Sequence, residues 1–207
     1  MTLNRSTRPS RNCKLNRRHA IFLLVTLLGA GSGKAADLLL IADPAFYRYA
    51  PSEPIEGTTK TVFDYYRVEG ENLVSAVPAD SDARQTAKRD STAHGRELLQ
   101  HLDPEVIRDS RGTVTALCFR SDDPTLSTIL LLPELGNRYR RVLGPDCLVA
   151  IPNRQTIFLF PRLAVNVQSF AEQIQSLYHN SPWPVSTEIF EFTDGKFRAK
   201  GVFNENF

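Results

Sequence analysis

The sequence predicts an α+β fold: a single compact domain in which antiparallel hairpins are covered by two or three helices. Three observations carry that expectation. Apolar, β-branched and aromatic runs come in pairs around short polar turns, as "CLVAI" and "TIFLF" do around "PNRQ", which is the pattern of hairpins. The segment "VNVQSFAEQIQSLYH" places Val167, Phe170, Ala171, Ile174, Leu177 and Tyr178 on one face at helical spacing. Roughly 170 residues of ordinary apolar content follow the first 35, enough for one buried core and one domain.

The chain opens on a leader. Residues 1–35 hold seven Lys or Arg and no Asp or Glu, and the uncharged run Ala20–Ala30 is 11 residues long. That length suits the apolar region of a secretory signal and falls well short of the roughly 20 residues that span a bilayer. Gly33 and Ala35 put small side chains where a signal peptidase checks them, so cleavage is expected before Ala36. The expected organisation is therefore a signal peptide at 1–35, an extended N-terminal segment at 36–60 and an α+β domain at 61–207. The exported product is expected in the periplasm or outside the cell, with no stable membrane insertion after cleavage. The Arg17-Arg18 pair leaves the general and the twin-arginine route both open.

The glycines near residue 30 invite a nucleotide reading, which the spacing rejects. A phosphate-binding loop anchored on Gly33-Lys34 needs glycine where Leu28 stands and a hydroxyl where Ala35 stands, and a dinucleotide fingerprint needs its third glycine where Lys34 stands. Charge argues the same way against nucleic acid. Residues 36–207 hold 18 Lys or Arg against 23 Asp or Glu, a net charge of −5, whereas nucleic-acid binding rests on a phosphate-neutralising field. The Arg138, Arg140, Arg141 cluster reads as the cationic end of a helix.

Along the domain, "TVFDYYRVEGENLVSAVP" reads as two strands around a Glu69-Gly70-Glu71-Asn72 turn. "YAPSEPIEGTTK" and "ADSDARQTAKRDS" read as loosely held. "STAHGRELLQHL" has helical spacing at Leu98, Leu99 and Leu102, with Pro104 beyond its end. "GTVTALCFR" reads as a strand after a Ser-Arg-Gly turn. "TLSTILLLP" is equally consistent with a buried strand and a helix. "PELGNRYRRVLG" has Pro133 at a helix start and Gly144 just past its end. In "TEIFEFTDGKFRAKGVF", Asp194-Gly195 suits a type I′ turn between two strands.

"LLLPEL", "GPDCLVAIPNRQTIFLFP" and "WPVSTEIFEFTDGKF" resemble the YtpQ-like family of bacterial proteins over about residues 126–203. The resemblance implies a bacterial α+β domain and no particular reaction. Where that family's pattern often carries an acidic residue after the arginine at the hairpin tip, this chain carries Gln155 after Arg154.

Candidate chemistry is sparse. Asn153 and Arg154 at the "PNRQ" tip are the candidate ligand-binding residues, because arginine on a rigid turn can clamp an anionic group bidentately. Once Cys13 leaves with the leader, Cys118 and Cys147 are a possible disulfide in an oxidising compartment, or two buried core residues. His94, Glu97 and His101 lack metal-site spacing and read as a helix surface; no metal and no cofactor is expected. The aromatics Phe46, Tyr47, Tyr49, Phe63, Tyr65 and Tyr66 read as core, with a stacking surface as the alternative. The functional expectation is an exported, non-catalytic module binding a protein, peptide or glycan of the cell envelope. The alternative is a small envelope hydrolase whose active site carries no recognisable motif.

Overall fold

In the computed structural model of the chain, the described residues are 38–47, 51–70, 72–163, 166–193 and 196–203, all within the compact unit formed by residues 35–207. The leader, its cleavage position, Tyr49 and the Asp194-Gly195 turn lie outside the described residues.

The fold is α+β. A four-stranded sheet comprises β1 (Leu38–Pro44), β2 (Glu53–Pro54), β3 (Thr61–Glu69) and β4 (Asn72–Ser75), with β3 central. A six-stranded sheet comprises β5 (Glu105–Arg108), β6 (Val114–Arg120), β7 (Cys147–Asn153), β8 (Thr156–Pro161), β9 (Glu188–Thr193) and β10 (Lys196–Val202), in the order β10-β9-β7-β8-β6-β5. The strands within each sheet pair antiparallel, and a single parallel bridge, Glu56 to Arg198, lies outside them among the described residues. The helices are α1 (Ser81–His101), α2 (Leu135–Leu143) and α3 (Ala171–His179).

Strand alternation divides the core. One face of the six-stranded sheet presents Leu117, Phe119, Val149, Ile151, Leu159 and Phe190 to Leu40, Ala42, Phe63 and Tyr65 of the other sheet, to Leu99 of α1 and to the Leu126–Leu135 stretch. The opposite face presents Ala116, Ala150, Phe158, Phe160 and Ile189 to Ala171 and Ile174 of α3 and to Phe203. The helix expected to cover the sheet does so, with its first turn wound as the 3-10 segment Val167–Phe170.

Several elements differ from the sequence reading. Within 36–60, β1 pairs along its whole length with β3 and Ile55 is buried, so these described residues are built into the sheet and the core. The polar run after residue 79 is the first half of α1, capped by the Asp80 carboxylate accepting the Ala83 amide proton at 2.8 Å. Only Ala87, Ser91, Gly95 and Leu99 are buried along that helix, four residues apart. A stripe of small residues carries no strong apolar signal, so half the helix was illegible. "TLSTILLLP" is neither strand nor α-helix but a 3-10 segment, Leu126–Leu131, and the short β5 had no signal of its own.

Small residues of α1 and of the 3-10 segment Leu126–Leu131 cover the free edge of β1. Ser91 Oγ accepts the Leu40 amide proton at 2.8 Å while donating to the Ala87 carbonyl, and Ser127 Oγ accepts the Ala42 amide proton at 2.9 Å. The outer edge of β1 is thereby satisfied by hydroxyls. A methyl group at Gly95 would stand 2.6 Å from the Thr128 carbonyl oxygen, so glycine is what permits this approach.

The cysteines are free and buried. Cys118 lies on β6 and Cys147 on β7, with β8 between them, and they point to opposite faces of the sheet. Two strand spacings of about 4.8 Å exceed the roughly 4.4–6.8 Å a disulfide needs. The possible disulfide is therefore corrected to two core thiols.

Candidate functional site

The tip of the β7–β8 hairpin is where sequence reasoning placed Asn153 and Arg154, and the structure assembles a site there from five segments. Asn153 does the turn chemistry: its Oδ1 accepts the Gln155 amide proton at 3.0 Å, and its Nδ2 donates to the Leu177 carbonyl of α3 at 3.2 Å. Arg154 does not project into solvent from this tip. Arg154 is 9 % exposed, because the segment after α3 runs back along β7 and covers the tip. Arg154 N donates to the Trp183 carbonyl, Val185 N to that of Pro152 and Ser186 N to that of Ile151.

The guanidinium meets a carboxylate and a phenol from the four-stranded sheet. Its Nη2 donates to Asp43 Oδ1 at 2.9 Å and to Tyr66 Oη at 2.7 Å, and the Tyr66 hydroxyl donates to Asp43 Oδ2 at 2.6 Å. Asp43 is the last acid of β1 and Tyr66 stands on adjacent β3, so strand pairing places both. The guanidinium carbon lies 4.7 Å from the Tyr66 ring centroid and 5.4 Å from that of Trp183, within cation–π range of both. The acidic partner of Arg154 is thus Asp43, 111 residues upstream. Burial, reinforced by the hydrogen bond to Asp43, raises the Tyr66 phenol well above its ordinary range, so it is a fixed neutral donor.

A pocket of about 300 Å³ opens beside this cluster, lined by Asp43, Tyr66, Ser75, Arg154, Pro182, Trp183 and Pro184. Trp183, the single tryptophan of the chain, stands 54 % exposed at its lip. Nε and Nη1 of Arg154 have no acceptor among the described residues. The pocket therefore offers an indole surface, guanidinium N–H donors, a carboxylate and the Ser75 hydroxyl, with the arginine and aspartate charges cancelling.

No protein-family model, curated protein or solved structure matches this chain.

Other clusters are less suited to ligands. A larger cleft, about 470 Å³, lies at the opposite end of the hairpin between Val142, Leu143, Pro145, Pro161 and Leu163. It is mainly apolar, and its Arg162 is paired with Asp146 at 3.0 Å and Glu191 at 3.3 Å. His94 Nε2 lies 2.7 Å from Thr125 Oγ1, which donates to Asp123 Oδ1. That chain resembles a hydrolytic triad only superficially: the Thr125 hydroxyl proton is held by the aspartate, and Thr125 is buried. His94 must donate into Thr125 rather than take its proton. Among the described residues no three His, Cys, Asp or Glu side chains gather as a metal site. Burial pushes the Cys118 thiol up, and the Cys147 thiol up to about 12, so neither is a ready nucleophile. Phe63, Tyr65 and Tyr66 are buried, while Phe46 is exposed.

The sequence reading found Arg154 and Asn153 but missed Asp43, Tyr66 as a polar partner, and Trp183. "PWP" was the available signal: tryptophan between prolines is held in extended backbone, where it cannot retreat easily into a core.

Proposed function

We propose that the protein is an exported, non-catalytic binding module of the bacterial cell envelope, whose pocket at Trp183 takes a segment of a neutral glycan. The observation that carries this reading is the pairing of a half-exposed indole with Arg154, Asp43 and Ser75 around one 300 Å³ pocket. An indole face offers area to the C–H face of a sugar ring at low entropic cost, while fixed donors and acceptors suit vicinal hydroxyls. The cancelling charges favour a neutral ligand over an ionic one. Export rests on the acid-free leader and its 11-residue apolar run, and the likeness to the YtpQ-like family rests on the C-terminal motifs.

Trp183 is its own reporter. Titration of soluble envelope oligosaccharides is expected to shift or quench its emission, and calorimetry with Trp183→Ala is expected to show binding weakened by at least tenfold with little loss of stability. Unchanged affinity in Trp183→Ala would reject the pocket. Release of reducing ends during the titration would replace the binding module with the envelope hydrolase. Mass spectrometry of the protein from its native cell is expected to find a new N-terminus close to Ala36.

A further inference from the structure

The segment that covers the hairpin tip runs on into a second cavity, of about 370 Å³, lined by Ala45, Phe46, Thr59, Lys60, Tyr178 and the run Val185–Glu188. Its distinguishing feature is Glu188. This residue is 7 % exposed, and among the described residues its carboxylate is met by hydroxyls alone. Thr58 Oγ1 donates to Oε1 at 2.7 Å, Thr61 Oγ1 donates to Oε2 at 2.6 Å, and Ser186 Oγ lies 3.3 Å from Oε2. Among the described residues no cation stands within ion-pair distance of it, although buried carboxylates are ordinarily paired with one. The neighbouring cation is Lys60, exposed at the rim of the same cavity and likewise without an ion pair among the described residues. An acid and a base that share a cavity without meeting leave room for a molecule bearing the opposite charge at each end. Phe46 and Tyr178 add aromatic residues to the lining of the same cavity.

We propose that this cavity binds a small zwitterion of the α-amino-acid class, with its ammonium group on Glu188, its carboxylate on Lys60 and an apolar side chain against Phe46 and Tyr178. The hydroxyls around Glu188 hold its two oxygens in place, so a primary ammonium, with three donors, completes the site without rearrangement. The alternative role of Glu188 is a staple joining β3 and β9 through Thr61, and the two roles separate experimentally.

Calorimetric titration of the full chain with L-phenylalanine, phenethylamine and 3-phenylpropionate tests the proposal, since the last two each lack one charge. L-Phenylalanine is expected to bind most tightly, phenethylamine about tenfold more weakly, as loss of one charge-assisted contact implies, and 3-phenylpropionate not at all. Glu188→Gln is expected to weaken L-phenylalanine at least tenfold. Lys60→Met, a surface change that leaves the fold alone, is expected to make L-phenylalanine and phenethylamine bind equally. Absence of L-phenylalanine binding at millimolar concentration, binding of 3-phenylpropionate as tight as that of L-phenylalanine, or a Lys60→Met protein that still prefers the zwitterion would each overturn the proposal. Should Glu188→Gln fail to fold, the Lys60→Met comparison decides alone. Trp183→Ala is expected to leave this binding intact, so the two cavities fail independently.

Discussion

Arg154 shows how far a residue's role depends on partners distant in sequence. An arginine on a hairpin turn is ordinarily solvated, and its removal then moves stability by less than about 0.5 kcal/mol. Here the guanidinium is buried against Asp43, Tyr66 and Trp183. Arg154→Ala is expected to cost about 3–5 kcal/mol, because it strands a buried carboxylate; denaturant unfolding measures it. Arg154→Lys is expected to recover little, since an ammonium cannot hold Asp43 and lie flat between two rings. Pairing Arg154→Met with Asp43→Leu is expected to restore most of the loss by removing both charges together. If Arg154→Ala melts like wild type, the cluster contributes nothing to stability. The turn itself was legible, because Asn153 and the flanking strands follow local rules. Asp43 was not, because a contact 111 residues away leaves no local pattern, and "IAD" reads only as the end of a strand.

Among the elements, those with a large apolar period were legible and those built on small residues were not. β7, β8, β9, α2 and α3 all stand where alternation, proline and glycine placed them, whereas the first half of α1 was hidden by the Ala87, Ser91, Gly95 stripe. Substitution at Gly95 tests that stripe. Alanine is favoured over glycine inside a helix by about 1 kcal/mol, so an unhindered Gly95→Ala would stabilise. The Thr128 carbonyl 2.6 Å from the added carbon reverses the sign, because α1 must retreat and loosen the hydroxyl contacts to β1. A net loss of about 1–3 kcal/mol is expected in thermal or denaturant unfolding, the ordinary cost of overpacking. An unchanged or higher Tm would show that the helix slides freely. The thiols give a second check on the strand layout: Cys118 and Cys147 are both expected to react with a thiol reagent in denaturant without prior reduction, and reductant is expected to leave Tm unchanged.

At the scale of the molecule, the largest charged network among the described residues lies on the six-stranded sheet, where Glu191 of β9 is buried with a side-chain exposure of 1 %. It receives Arg198 Nε at 2.8 Å, Lys200 Nζ at 3.2 Å and Arg162 Nε at 3.3 Å, so one carboxylate ties β10 and the end of β8 to β9. Burial alone would raise this carboxyl, but the hydrogen bonds from Arg198 and Lys200 and the charge of Arg162 outweigh it and hold the group below its ordinary value. The pH dependence follows from that direction. A carboxyl whose folded pKa lies below the unfolded value of about 4.3 binds fewer protons when folded, so its stabilisation is fully present above the unfolded value and disappears as pH falls through the folded one. Glu191→Gln is therefore expected to lower stability at pH 7 by about 1–3 kcal/mol, less than for a wholly buried pair because the three cations are half exposed and screened. The deficit is expected to shrink as pH falls below the unfolded value and to vanish once the folded wild-type carboxyl is protonated at a still lower pH, while Arg162, Arg198 and Lys200 repel one another in both proteins. Thermal unfolding of the two proteins from pH 7 down to pH 2.5 checks the sign. Curves that stay parallel across that range would show that Glu191 does not set the acid limit, and amide exchange confined to β10 would show that the loss stays local rather than passing to the whole sheet.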